Sequence, residues 1–92
     1  MPQSAFTAKI TGRVQGVAFR AWTRSRARTL GLTGWVQNDA TGSVSAHVQG
    51  EQAQVETMLG DLWSGPAAAS VRDVQARKAA PDPALTSFEI RR

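Results

Sequence analysis

Ile10-Thr11-Gly12-Arg13-Val14-Gln15-Gly16-Val17-Ala18-Phe19-Arg20 is where one backbone period gives way to another. Before it, Ala5 to Thr11 alternates: Phe6, Ala8 and Ile10 face one way, and Thr7, Lys9 and Thr11 the other. That is the pattern of a half-buried strand. After it, Phe19, Trp22, Ala27 and Leu30 recur at helical spacing, and Gly31 is a natural C′ stop. The junction itself carries two glycines and a terminal arginine. Glycine lets a backbone curl and approach a ligand closely. The amides of such a loop, with the N-terminus of the helix it opens, offer donors to a phosphate-like anion. Arg20 can add a charged planar fork to them.

Beyond the crossover, Leu32 to Asn38 reads as a second strand. Asp39 to Gly42 is a turn, and Ser43 to Gln49 a third strand with Val44, Ala46 and Val48 inward. Val55, Met58, Leu59 and Leu62 fall at i, i+3, i+4 and i+7, which predicts a helix from Glu51 to Trp63, with Glu51 suited to the first turn. Ser64-Gly65-Pro66 ends it. Val71 to Arg77 is a fourth strand whose imperfect alternation points to a bulge, and Leu85 to Ile90 a short fifth after the break at Pro81-Asp82-Pro83. The order is β-α-β-β-α-β plus a last short strand. One sheet face is covered and the other faces water, so both helices pack on the same side. The expected fold is α+β: a ferredoxin-like two-layer sandwich with an antiparallel-rich sheet.

The first two strands, joined through a helix, should run parallel, with their C-terminal ends at one sheet edge. The glycine loop leaves one of those ends and Asn38 sits at the other. With one strand between them they stand roughly 10 Å apart, two strand spacings, which leaves room for a phosphate and a water.

At 92 residues the chain is expected to form one domain spanning 1–92. It has no cysteine, which excludes disulfides, thiolate nucleophiles and cysteine metal sites, and a single histidine, His47, makes no metal site alone. No apolar run could span a bilayer and the start carries no signal-peptide pattern, so a cytoplasmic protein without membrane association is expected. The net charge of +4, mostly from arginine, favours anionic partners.

Two segments resemble the signatures of the acylphosphatase family: Ile10 to Arg20, and Gly34-Trp35-Val36-Gln37-Asn38-Asp39-Ala40-Thr41-Gly42-Ser43-Val44 with the later Gly50. Ser87-Phe88-Glu89-Ile90 is similar to the family's closing strand. The resemblance covers nearly the whole chain and implies hydrolysis of the carboxyl–phosphate bond of an acyl phosphate, releasing a carboxylate and inorganic phosphate. By it, Arg20 binds the substrate phosphate with the backbone amides of Val14, Gln15, Gly16, Val17, Ala18 and Phe19. Asn38 holds the attacking water. It implies no metal, no cofactor and no covalent intermediate. The residue inventory suits such chemistry, because a carboxylate leaves without a general acid and the protein need supply only positioning and charge stabilisation.

Other readings stand beside this one. RNA-recognition modules share the topology but stack bases on exposed aromatics. Here Thr7, Lys9, Thr11, Ser43, Ser45 and His47 occupy the exposed positions, so no nucleic-acid partner is expected. A non-catalytic anion sensor would need no pairing of Arg20 with Asn38. The chain is expected to be a free-standing monomer. Arg24 and Arg28 read as a solvated helix face, and His47 as a surface residue on the outer sheet face. Trp22 and Trp63 are expected at the core or its edge. Trp35 points away from Val36 to cover the open face, and Asp39 and Thr41 take turn roles first.

Overall fold

A computed structural model describes residues 2–91. Seven elements follow in order: β1 (Gln3–Arg13), α1 (Phe19–Thr29), β2 (Thr33–Asn38), β3 (Val44–Glu51), α2 (Gln52–Leu62), β4 (Ser70–Lys78) and β5 (Phe88–Arg91). The strands form one sheet in the order β4-β1-β3-β2-β5. All neighbouring pairs are antiparallel except β2 and β5, which run parallel. This is the expected α+β sandwich, and the short fifth strand is present.

The apolar periods placed the core correctly. Ala8 and Ile10 of β1, Val44, Ala46 and Val48 of β3, and Val55, Met58 and Leu62 of α2 are buried together with Phe19, Ala27, Val36 and Phe88, while Phe6 and Leu59 pack against them. Both helices therefore lie on one sheet face. Arg26 of α1 and Asp61 of α2 join them by an ion pair at 2.6 Å. Helix α1 stops as its glycine predicts. Gly31, at φ 72°, lets its own N–H reach Arg28 O and the Leu32 N–H reach Ala27 O, which closes the last turn. The bulge expected in the fourth strand is also there. Thr11 pairs with Asp73 and Gly12 with Val71, so Arg72 is the extra residue.

Four expectations need correction. Ser43, expected at an exposed position of the third strand, is buried, at 4% exposure, its hydroxyl drawn in to Asp39 Oδ2 at 2.9 Å. Glu51 does not open α2: it ends β3 as an extended cap at φ −60°, ψ 132°, without a side-chain capping bond, and the helix starts at Gln52. Trp63 is half exposed, at 51%. It follows Leu62, the last buried residue of α2, by one position, a turn of about 100° that carries the indole off the buried face. His47 does stand on the outer face but is buried, at 7% exposure. The Trp35 ring stacks on it with centroids 6.1 Å apart, and its Nε2 lies 2.7 Å from Gln49 Oε1. Trp35 does cover the open face, with the Arg91 guanidinium 4.6 Å above its ring. Trp22 is half-buried beside Phe19, as a core-edge residue should be.

Candidate active site

Strand β3 lies between β1 and β2 and is antiparallel to both, so β1 and β2 point the same way. The loop after β1 and the turn after β2 therefore emerge at one edge, separated by a single strand, as the crossover argument requires.

Residues 14–18 form the loop, and Phe19 and Arg20 begin α1. Val14 and Phe19 are its anchors, each buried in the core at 1% exposure. Between these pegs the backbone turns sharply. Gly16 has φ 73° and Ala18 has φ 63°, both left-handed. Glycine takes that conformation freely, whereas alanine pays about 1–2 kcal/mol for it. Ala18 is also the cap residue of α1, and no side chain caps the helix there. Among the described residues, none of the backbone N–H groups from Gln15 to Arg20 donates to a protein acceptor. A run of unpaired amides at a helix start, with left-handed backbone at Gly16 and Ala18, is geometry that can offer donors to an anion.

Arg20 is partly exposed, and among the described residues it makes no ion pair or side-chain hydrogen bond. It borders an open cleft of about 620 Å³ with Gly16, Ala18, Phe19, Ala21 and Ile90. Arg28, expected on a solvated face, is exposed but tied down: its Nε donates to Phe88 O at 3.2 Å and its Nη2 lies 3.4 Å from Glu89. Arg24 on the same helix is half-buried. Trp35 and His47 lie away from this cleft.

Asn38 ends β2, its backbone in register with Val44. Its Oδ1 is buried, and no donor among the described residues reaches it. Asn38 does not line the Arg20 cleft. The connection between the two runs through Gln15, whose side-chain Nε2 donates to Asp39 O at 2.9 Å and to Ser43 O at 2.8 Å. Those carbonyls bracket the β2–β3 turn, which is closed by Asp39 N–H to Ser43 O and Gly42 N–H to Asp39 O.

Asp39 and Thr41 take the turn roles expected of them. Asp39 Oδ2 accepts from Ser45 Oγ at 2.6 Å and Ser43 Oγ at 2.9 Å, and Thr41 Oγ1 pairs with Ser43 Oγ. The Ser45 bond is the main cause that holds the Asp39 carboxyl below the usual carboxylate range. Burial opposes it, and Ser43, Gln37 and the charge of Lys9 add to it. No group of three His, Cys, Asp or Glu side chains gathers among the described residues. The side-chain role of Gln15 went unread in the sequence, because its partners lie 24 and 28 residues away and no local pattern encodes that contact. Ser43 and Ser45 are only 4 and 6 residues from Asp39, but alternation had assigned them to the open face rather than to its carboxylate.

The family model described as Acylphosphatase matches residues 6–90. The chain belongs to the acylphosphatase family. An acylphosphatase of Rhizobium meliloti is 50% identical over 84 residues, covering 91% of this chain and 88% of the relative. Among solved structures, an acylphosphatase from Coxiella burnetii superposes with a TM-score of 0.92 at 32% identity, over 97% of this chain and 93% of the other. One from Bacillus subtilis does so at 0.91 and 25% identity, over 96% and 98%. The acylphosphatase match takes in both the loop and the turn.

Proposed function

We propose that this acylphosphatase-family protein hydrolyses the carboxyl–phosphate anhydride bond of acyl phosphates by direct attack of water, without a metal ion or other cofactor. The observation that carries this reading is the run of unpaired amides from Gln15 to Arg20 beside an unpaired guanidinium. Backbone N–H groups from Val14 to Phe19 would take the phosphate oxygens, and Arg20 would supply a charge-assisted fork. Both sets of donors meet the charge that develops on the equatorial oxygens during transfer.

Asn38 would hold the nucleophile. Among the described residues its Oδ1 accepts no hydrogen bond, so turning the amide towards a water breaks none of those contacts. The water oxygen then bonds to phosphorus as the phosphorus–oxygen bond to the acyl group breaks. The bonding pair leaves with the carboxylate, which needs no protonation. The water proton passes to the phosphate, which departs as inorganic phosphate. The protein's contribution is positioning plus a fixed positive field. In this reading the chain acts in the cytoplasm as a monomer, a single acylphosphatase-like domain with no nucleic-acid or membrane partner.

The test is hydrolysis of benzoyl phosphate in EDTA by the wild type, Arg20→Ala and Asn38→Ala, with folding of each checked by circular dichroism. Rapid wild-type turnover that falls at least about 100-fold in both variants supports the reading. A well-folded wild type that does not turn over would sink it.

A further inference from the structure

We infer that the Gln15 side chain is a positioning residue that sets the spacing between the phosphate cradle and the turn bearing Asn38. The inference rests on the reading above, in which the cradle holds phosphate and Asn38 holds water. Both partners of Gln15 are backbone carbonyls, Asp39 O and Ser43 O, so only the amide nitrogen can serve them. Each of its two hydrogens takes one. That spends the donor capacity of the group and fixes its orientation.

The bonds are not needed to satisfy the turn. Asp39 O already accepts from Gly42 N–H, and Ser43 O from Asp39 N–H. What Gln15 adds is a link between segments that no backbone hydrogen bond joins. On one side it belongs to the loop whose amides from 15 to 20 lack protein acceptors. On the other it grips the carbonyl of Asp39, the residue directly after Asn38. Without it, the loop and the turn are held only by their separate strands, with β3 between them. A displacement of about 1 Å between reacting groups can cost about 100-fold in rate.

The test is Gln15→Met, which keeps length and bulk but donates nothing, read in the wild type and in Asn38→Ala. The measurements are kcat on benzoyl phosphate, the inhibition constant for inorganic phosphate, and the melting temperature. The inference expects kcat to fall about 10- to 100-fold. Phosphate inhibition should move less than about threefold, because Arg20 and the amides remain. In the Asn38→Ala background the same change should cost less than about threefold, since the spacing it controls no longer matters.

Unchanged kcat in a folded Gln15→Met would overturn the inference while leaving the roles of Arg20 and Asn38 standing. Parallel losses of kcat and phosphate affinity would overturn it by making Gln15 part of the cradle alone. So would an equal loss in both backgrounds. If Gln15→Met and a second variant, Gln15→Leu, both fail to fold, the amide is a folding element and the inference falls. Full activity in Asn38→Ala would instead fail the reading on which the inference rests.

Discussion

The loops 14–18 and 79–87 both leave a strand of the same sheet, and they treat their polar groups in opposite ways. In 79–87, Asp82 is clamped to Gln49 from both sides: its N–H donates to Gln49 Oε1 at 2.9 Å, and Gln49 Nε2 donates to its carbonyl at 2.8 Å. Its side chain accepts from Ala84 N–H, its carbonyl accepts from Leu85 N–H as well, and Ser87 O takes the Gly34 N–H. In 14–18 the amides from Gln15 onward have no acceptor among the described residues, and a left-handed alanine stores strain. The 79–87 loop spends its hydrogen bonds on holding the open sheet face. The 14–18 loop gives protein only the Gln15 side chain and, among the described residues, leaves its backbone amides from Gln15 onward without an acceptor. Polar groups left unsatisfied under strain mark a site better than polarity alone does.

That contrast is broken most directly by exchanging damage between the regions. Arg20→Ala should lower kcat/KM by at least about 100-fold with a melting temperature close to wild type. Gln49→Ala should do the reverse. It strands His47 and frees Asp82, costing about 2 kcal/mol, or roughly 8–16 °C in melting temperature for a domain of this size, with turnover at 25 °C within about twofold. Thermal melts and benzoyl phosphate kinetics on both variants would expose any crossing of these effects.

Smaller changes sharpen the boundary. Thr23 Oγ1 and Asn38 Oδ1 are both buried without a partner among the described residues, but Thr23 sits on the buried face of α1, fully enclosed. Thr23→Val should therefore stabilise by about 1 kcal/mol in urea titration and leave kinetics unchanged. Ala18→Gly relieves the left-handed strain but loosens the unfolded chain. The net gain should be about 0.5 kcal/mol, with turnover retained. A loss of stability in that variant would mean that Ala18 is not strained.

The Asp39 carboxylate supplies the mildest test. Its folded value is depressed, so its contribution to stability is present above the unfolded value of about 3.9 and is lost as pH falls through the folded one. The stability gap between wild type and Asp39→Asn should be constant above about pH 5 and close steadily below about pH 4. A gap that widens in acid would reverse the assigned direction.

Much of this was legible without coordinates. The periods of β1, β3 and α2 named the residues these elements give to the core cluster, because alternation and 3.6-residue spacing are local consequences of backbone geometry. Ala5 is buried on the opposite phase of β1. Gly31 ended α1 where its conformational freedom is needed. The parallel relation of β1 and β2 followed from a handed crossover alone. Two further residues depart from their pattern for reasons of side-chain packing and helical phase. His47 alternates correctly onto the outer face yet is buried, because Trp35 and Gln49 close over it. Trp63 is as apolar as its buried neighbours, but one residue of helical rotation turned it outward.

The order of elements, the apolar face of each, the two family signatures and the residues around which a site could form are all written in the amino-acid order. These depend on period, chirality and residue chemistry within about a dozen positions. Which polar groups stay unpaired is a property of the folded chain alone. Gln15 reaches two carbonyls beyond Asn38, Gln49 reaches Asp82, and the glycine-loop amides reach no acceptor among the described residues. Whether a donor finds an acceptor depends on distances between segments far apart in the chain, and those distances are fixed only when the sheet closes against its helices.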